Sequence, residues 1–126
     1  VPKNYDLGPI FKAVYKHKDI INYTKYANNY DYNKAVYLMS LFDMQENGFL
    51  MIKEDTSYAS PIATLFYETY EDLESLKDKI TNDSDKIQCV ATNLNIKDSV
   101  KLGQTQAPKL WNYADNVDTV KFLLTL

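Results

Sequence analysis

The chain contains one thiol and one imidazole, Cys89 and His17, as candidates for nucleophilic catalysis. A thiol attacks a carbonyl only when a base or a positive charge generates its thiolate in an accessible pocket. Cys89 instead lies in the apolar run 87–91, which is typical of a buried strand where cysteine acts as a small hydrophobic residue. His17 lies between Lys16 and Lys18 near a predicted helix end, which favours a capping role at the surface. We therefore expect no catalytic residue in this chain.

Metal, phosphate and nucleic-acid sites find no support in the residue types. One His and one Cys cannot complete a zinc site, and no calcium-loop pattern occurs. The glycines at positions 8, 48 and 103 are too far apart to form a phosphate-binding loop. All 14 basic residues are Lys, scattered among 17 acids for a net charge of −3. A surface that reads a nucleic acid normally uses Arg and a basic stripe, so nucleic acid is not an expected partner.

Three pairs of carboxylates remain as candidates for acid–base or ligand-binding chemistry. They are Glu54 with Asp55, Glu71 with Asp72, and Asp115 with Asp118. The second pair is explained by a helix start, and the third fits a capped turn. Only the first pair follows a predicted buried strand, which is where α/β sheets present groups to a ligand. A solvated turn is the alternative for that pair.

Two helices are expected in the N-terminal part of the chain. Over residues 7–18 the apolar side chains recur at helical intervals, and Pro9 suits a first turn. A polar stretch rich in Tyr and Asn follows. A second helix is expected over residues 33–45, with Asn47 and Gly48 as its stop signal.

Strand and helix signals then alternate. Residues 49–52 and 61–67 have strand composition, residues 71–80 form an amphipathic helix with acids first and Lys last, and residues 87–91 form another strand. The strand–helix–strand order predicts a crossover with parallel strands, and so an α/β layer. The apolar run 117–124 is interpreted as a C-terminal strand that needs a partner surface, in the fold or across a subunit contact.

These elements predict a single domain or domain fragment. It divides into a helical part (1–47), an α/β part (48–92) and a loop with a C-terminal strand (93–126). The absence of an initiator Met suggests a fragment, and a single Cys without a visible leader favours the cytoplasm. No apolar run approaches the roughly 20 residues that span a bilayer.

Two stretches resemble a known family. Residues 102–123, LGQTQAPKLWNYADNVDTVKFL, resemble the C-terminus of acyl-CoA reductases of the luminescence fatty-acid-reductase type, in the aldehyde dehydrogenase superfamily. Residues 54–73, EDTSYASPIATLFYETYEDL, look like that superfamily's acid, small-residue–Pro pair, apolar strand and acidic-start helix. The resemblance covers most of the chain from about residue 29.

The resemblance implies that the chain is the C-terminal part of a reductase catalytic domain. Such enzymes reduce a fatty acyl-CoA to an aldehyde with NADPH or NADH, through a thioester on a Cys that would lie upstream of this chain. The isolated chain would be inactive, would bind the rest of its parent, and could form a homo-oligomer through its C-terminal strand. An acyl tunnel could use Phe49, Met51 and Leu65, although a core role is favoured for these residues.

The resemblance also implies site residues. In the superfamily a Glu four residues before the Pro holds the nicotinamide ribose, but here Ser57 has that position, and Glu54 is the substitute on which a cofactor role would fall. Four further residues would shape loops near the site, or merely form turns. They are Ser60, Pro61, Gly103 and Gln104.

An alternative of a different class is a non-catalytic α/β interaction domain. Four tyrosines of the polar stretch would form its recognition surface, because a Tyr ring is apolar and its hydroxyl is wet. They are Tyr23, Tyr26, Tyr30 and Tyr32.

Overall fold

The structure is a computed structural model that describes residues 1–113 and 117–126. The chain divides into two compact units, Val1–Ser75 and Leu76–Leu126. The described residues form a three-stranded mixed sheet and several helices, which confirms the α/β class. An aldehyde dehydrogenase-like arrangement stays a prediction.

The N-terminal helices include more residues than the sequence predicts. Helix α1 spans Gly8–Val14 with Pro9 in its first turn, and a 3-10 helix, Tyr15–Asn22, continues it. Helix α2 spans Thr24–Met39, so the expected boundaries 33–45 are wrong at both ends. The polar stretch is helical because its tyrosines recur at helical intervals and anchor one face of α2 in the core.

The sheet has the order β1-β2-β3, with strands Met44–Glu46, Met51–Glu54 and Thr64–Tyr67. Strands β1 and β2 form an antiparallel hairpin, whereas β2 and β3 are parallel, with Met51 opposite Thr64. A loop over residues 55–63 joins the parallel strands. The predicted parallel pair, residues 61–67 with residues 87–91 across the amphipathic helix, is therefore wrong, because the observed parallel strands β2 and β3 both lie before that helix.

The predicted stop signal at Asn47 and Gly48 is the turn of this hairpin. Gly48 has a φ of 90°, a left-handed conformation that glycine adopts without strain. The Asn47 side-chain oxygen accepts hydrogen bonds from the amides of Phe49 (3.3 Å) and Leu50 (2.9 Å). The Asn47 amide bonds to the Leu50 carbonyl at 3.2 Å, so Gly48 and Phe49 are the two central residues of the turn. A glycine at the first central position is typical of a tight hairpin turn. In the sequence, the helical spacing of residues 33–45 outweighs this hairpin signal.

Strand β2 forms the centre of the first unit. Met51 is fully buried and packs with Tyr30 and Tyr37 of α2 and with Ala63. Ile52, on the opposite face of the sheet, lines a small cavity with Leu7. Helix α2 thus covers one face of the sheet with its aromatic side.

Helix α3 spans Leu73–Asn82 and confirms the predicted amphipathic helix. Its start is capped as expected, because the Asp72 carboxylate accepts a hydrogen bond from the Ser75 amide at 2.8 Å. The hydrogen bond from the Ser75 hydroxyl, followed by the one from the Ser75 amide, lowers the pKa of Asp72. Glu71 forms an exposed ion pair with Lys3 at 3.3 Å.

The predicted strand over residues 87–91 is wrong. Only an isolated bridge joins Ala91 to Val100 there, and Cys89 is exposed rather than buried. Ile87 and Val90 are separated by two exposed residues, so the run offers too little apolar surface to hold a strand.

The predicted C-terminal strand is also wrong. Helix α4 spans Thr119–Leu124, and the Asp118 side chain caps it by accepting the Lys121 amide at 2.9 Å. The cap outweighs the strand propensity of the valines. The predicted homo-oligomer contact through a C-terminal strand therefore lacks its structural basis, because Thr119–Leu124 is helical. Asp115, the other member of its carboxylate pair, lies outside the described residues.

No helix in the described parts of the chain combines the length and the apolar character that a bilayer crossing needs.

Candidate functional site

The carboxylate pair favoured by the sequence lies at the carboxyl end of the parallel strands. Strands β2 and β3 end side by side, and the Asp55 amide donates a hydrogen bond to the Tyr67 carbonyl at 3.0 Å. Glu54 is exposed and Asp55 is partly buried. This is the edge at which the sequence placed a ligand-binding group.

A buried lysine, which sequence reasoning missed, dominates this edge. The Lys53 ammonium lies 2.5 Å from the Asp55 carboxylate and 3.3 Å from the Glu54 carbonyl oxygen. Three aromatic rings surround the same ammonium, and the side chain is 8% exposed. Their centroids lie at 4.5 Å (Phe42), 5.3 Å (Phe66) and 5.7 Å (Tyr37). Charged groups this buried need such partners.

The three rings and Asp55 around the Lys53 ammonium form what we call the lysine cage. This cage decides which of the two carboxylates, Glu54 or Asp55, is available to a ligand. Lys53 engages Asp55 and lowers the pKa of its carboxyl, so that carboxylate is committed to an internal contact. The Glu54 side chain has no hydrogen-bond or ion-pair partner among the described residues and points to solvent. Of the original pair, only Glu54 is free to bind a ligand. The missed signal was an acid two residues after a lysine, on the same face of a buried strand.

The predicted loop-shaping residues form ordinary turns. Ser60 is exposed, and the Pro61 carbonyl accepts the Thr64 amide at 3.1 Å just before β3. Gly103 has a φ of 81°, and the Gln104 amide bonds to the Lys101 carbonyl at 3.0 Å. This second turn belongs to the C-terminal unit. A site role for any of the four stays a prediction.

The predicted catalytic candidates have no assembled site. His17 is exposed on the 3-10 helix that follows α1, rather than at the end of an α-helix. Cys89 is exposed in an irregular segment of the second unit. In the parts of the chain that the structure describes, no group of His, Cys, Asp and Glu could hold a metal ion.

The residues suggested for an acyl tunnel do not share one environment. Phe49 and Met51 are core residues, as favoured, whereas Leu65 is 39% exposed. The cavity beside Ile52 and Leu7 has about 30 Å³, enough for one water molecule. The second unit has an open crevice of about 480 Å³, lined by polar and apolar residues of the segment 92–101.

A second polar cluster joins α2 to the hairpin. The Tyr30 hydroxyl donates a hydrogen bond to the Glu46 carboxylate, which also accepts the Gly48 amide at 2.8 Å and the Lys34 ammonium at 3.0 Å. These donors lower the pKa of Glu46 to about 2, the Tyr30 hydrogen bond most of all. Burial, followed by the contact with Glu46, raises the pKa of Tyr30. The cluster is structural, because its donors and acceptors satisfy one another.

The Glu46 cluster predicts a pH dependence of stability. The pKa of Glu46 falls from 4.5 to about 2 on folding, so its contribution is complete above pH 4.5 and is lost as the pH falls through 2. A third of the side chain is exposed, and screening reduces the contribution to about 1 kcal/mol. Urea unfolding of the native chain and of Glu46→Gln should therefore differ at pH 6 and converge at pH 2. Equal pH profiles for both proteins would contradict this assignment.

The predicted tyrosine surface does not exist as one surface. Tyr30 is buried in the core, and the partly buried Tyr26 donates its hydroxyl to the Phe49 carbonyl at 2.8 Å. Of the four tyrosines of this prediction, Tyr23 and Tyr32 are exposed. The tyrosines differ in burial because Tyr26 and Tyr30 are one helical turn apart on the core face, whereas Tyr32 lies on the opposite face of α2.

The second half of α2 and the turn after it also carry exposed apolar side chains, a group that we call the outer ridge. It runs from the second half of α2 into the loop before β1. Its members are Tyr32, Leu38, Met39, Leu41 and Phe42. Met39 is 77% exposed and Leu41 is 92% exposed. Helix α2 thus exposes two large apolar side chains, Tyr32 and Met39, on the face opposite its core tyrosines.

The comparisons with known proteins leave the family open. The resemblance to acyl-CoA reductases in residues 54–73 and 102–123 stays a prediction, as does the cofactor role of Glu54. No protein-family model, no curated protein and no solved structure matches this chain.

Proposed function

We propose that the chain is a binding module that docks an apolar segment of a protein partner on the outer ridge. The observation that carries this proposal is the pair of exposed apolar side chains, Tyr32 and Met39, on the face of α2 opposite the core. A helix that is apolar on opposite faces is normally covered on both. The core covers one of these faces, and the other is in solvent. The proposal retains the alternative that the chain is an interaction domain. Its binding surface is the outer ridge, however, and not the four tyrosines that the sequence suggested.

The composition of the outer ridge supports binding over mere exposure. Single exposed apolar side chains are common, whereas a contiguous group marks an interaction surface. Tyr32 and Met39 are two helical turns apart on one side of α2, and Leu38, Leu41 and Phe42 are further exposed apolar side chains at the end of the helix. Aromatic residues and Met are also the types enriched at protein interfaces.

Site-specific photo-crosslinking in the native cells tests this proposal. A photoreactive phenylalanine analogue replaces Tyr32 or Met39 in turn, and Tyr23 is the matched control because it is equally exposed at the other end of α2. We expect the two ridge positions to crosslink to the same site on one protein, and Tyr23 to give little product. Equal yields at all three positions, or unrelated products from the two ridge positions, would refute the docking function.

We propose, as a second candidate, that the chain is the C-terminal part of the catalytic domain of a cytoplasmic acyl-CoA reductase. The free Glu54 carboxylate at the carboxyl end of the parallel strands favours it, since a carboxylate there could accept ribose hydroxyls of NADPH or NADH. The fatty acyl-CoA substrate, the thioester-forming Cys and the rest of the cofactor site would belong to the parent chain.

The reductase proposal is tested on the full-length native protein. It should oxidise reduced nicotinamide in the presence of a fatty acyl-CoA. Glu54→Gln should raise the KM for the cofactor by about tenfold, since a hydrogen bond to a charged group contributes roughly 1.5 kcal/mol or more. Glu71→Gln, at an exposed acid outside this edge, is the control. Absence of cofactor oxidation in the native protein would end this candidate.

A further inference from the structure

Asn47 and Gly48, in the hairpin between β1 and β2, form a dipeptide with a chemistry of its own. The backbone nitrogen of the residue after an asparagine can attack the side-chain amide carbon and form a cyclic imide. A glycine in that second position leaves the nitrogen unhindered, because glycine has no Cβ. Asn47 is the one asparagine of the sequence that precedes a glycine. It is therefore the position at which this chain is chemically most susceptible to deamidation.

The native hairpin holds both reacting groups in hydrogen bonds. The Gly48 amide donates its proton to the Glu46 carboxylate at 2.8 Å. The nitrogen attacks only when it loses that proton, and the adjacent negative charge opposes the loss. The Asn47 side-chain oxygen accepts the amides of Phe49 at 3.3 Å and Leu50 at 2.9 Å, which fixes the orientation of the side chain. The closed hairpin thus hinders the reaction that the dipeptide favours.

Two further features favour local opening of this hairpin. Strand β1 has three residues and lies at the edge of the sheet. The Asn47 side-chain nitrogen is buried and has no hydrogen-bond partner among the described residues. A buried unsatisfied donor costs free energy, and short edge elements open before the core does. Opening removes both hydrogen-bonded constraints from the dipeptide at once.

We infer that Asn47 is a modification site protected by Glu46: the closed hairpin keeps the asparagine intact, and the open hairpin allows it to deamidate. The Gly48 nitrogen bonds to the side-chain carbon of Asn47, its proton goes to a base in the solvent, and the side-chain nitrogen leaves as ammonia. Water then opens the imide at either carbonyl and gives an aspartate or an isoaspartate at position 47. Nothing is oxidised or reduced. This inference does not depend on the proposed docking function.

The isoaspartate form cannot rebuild the same hairpin. Its side-chain carbon becomes part of the main chain, which is lengthened between the Asn47 amide and Gly48. That amide bonds to the Leu50 carbonyl at 3.2 Å and closes the turn, and Glu46 pairs with Met51. The longer chain cannot keep this register together with the bond from Gly48 to Glu46. Because the step is irreversible, the extent of modification records how long a chain has spent with its hairpin open.

Incubation of the purified chain at neutral pH, followed by mass spectrometry of tryptic peptides, tests the site. The peptide 35–53 contains Asn47 and no other asparagine. We expect Asn47 to deamidate at least about tenfold more slowly in the native chain than in urea, because only the open form reacts. Met39→Ala, an exposed change in the same peptide, is the control and should leave the native rate unchanged.

Two variants test the protection by Glu46. Glu46→Gln should speed the reaction of the native chain about fivefold, since it removes the charge that holds the Gly48 proton and weakens the closed hairpin. The same variant should change the rate in urea little. Tyr30→Phe removes only the hydroxyl that binds Glu46 and should give a smaller increase, which keeps the test decisive if Glu46→Gln does not fold.

Hydrogen exchange of the modified chain tests the consequence. The isolated isoaspartate form should lose amide protection over residues 44–48, while the amides of Met51 and Ile52 stay protected. Equal rates of deamidation in the native chain and in urea would overturn the inference. Unchanged native rates in both Glu46→Gln and Tyr30→Phe, or an isoaspartate form that keeps its protection over residues 44–48, would also overturn it.

Discussion

Replacing Met51 with alanine is expected to lower the free energy of unfolding by about 3 kcal/mol. Met51 is fully buried at the centre of β2, between the aromatic side of α2 and Ala63. Truncation removes buried methylene and thioether groups and leaves a cavity that the surrounding rings can fill only in part. Because small domains are stable by roughly 5 to 15 kcal/mol in all, this loss is a large fraction of the total.

Chemical denaturation followed by circular dichroism measures this effect. Met39→Ala is the matched control, because the same change on the exposed outer ridge should alter the free energy of unfolding by less than about 0.5 kcal/mol. An unchanged slope with denaturant would show that both variants unfold from the same compact state. Equal losses for Met51→Ala and Met39→Ala would mean that α2 presents a different face to the sheet.

Lys53→Ala should lower the free energy of unfolding by about 2 to 3 kcal/mol, whereas Lys53→Met should be close to neutral. The aliphatic stem of Lys53 is buried among Tyr37, Phe42 and Phe66, and alanine loses about three methylene groups at roughly 0.8 kcal/mol each. Methionine keeps that volume. Asp55 can regain water when its partner is removed, since its side chain is 29% exposed.

The pair of variants distinguishes a packing role from a role of the charge itself. Denaturation midpoints at low and high salt give the comparison. If Lys53→Met loses as much stability as Lys53→Ala, the ammonium contributes through its charge, and the cage would be an ionic rather than an apolar element. If neither variant loses stability, the side chain does not lie between the three rings.

Segments with a long apolar period were predictable from the sequence. The wrong predictions, the bounds of α2 and the C-terminal strand, arise where one local signal competes with another. Helix α3 and the strands at β2 and β3 follow from apolar spacing and acid-first charge order, and the structure agrees with them. Helix α2 was misjudged because its core face is made of tyrosines, which a polarity pattern counts as surface. The apolar run around Val120 has strand propensity, but a single capping residue, Asp118, starts a helix there.

The candidate site was predictable only in its position on the sheet. A pair of acids after a buried strand indicated the carboxyl edge, where Glu54 and Asp55 do lie. The ion pair between Lys53 and Asp55 could not be predicted, because Lys53 is held by rings from three separate parts of the chain. These rings belong to α2, to the loop after α2 and to β3, and they come together only in the folded chain. The outer ridge was invisible for a similar reason, since apolar residues at helical spacing indicate burial and cannot reveal a second, uncovered face.

Oxidation of the three methionines tests the central claim, that a partner covers the outer face of α2. In the purified chain, peroxide should oxidise the exposed Met39 fastest, the partly buried Met44 more slowly and the buried Met51 slowest. In native cell extract we expect Met39 to be protected at least about tenfold relative to the purified chain, with the Met51 rate unchanged as the internal control. Oxidation of Met39 at the same rate in extract and in the purified chain would contradict the account.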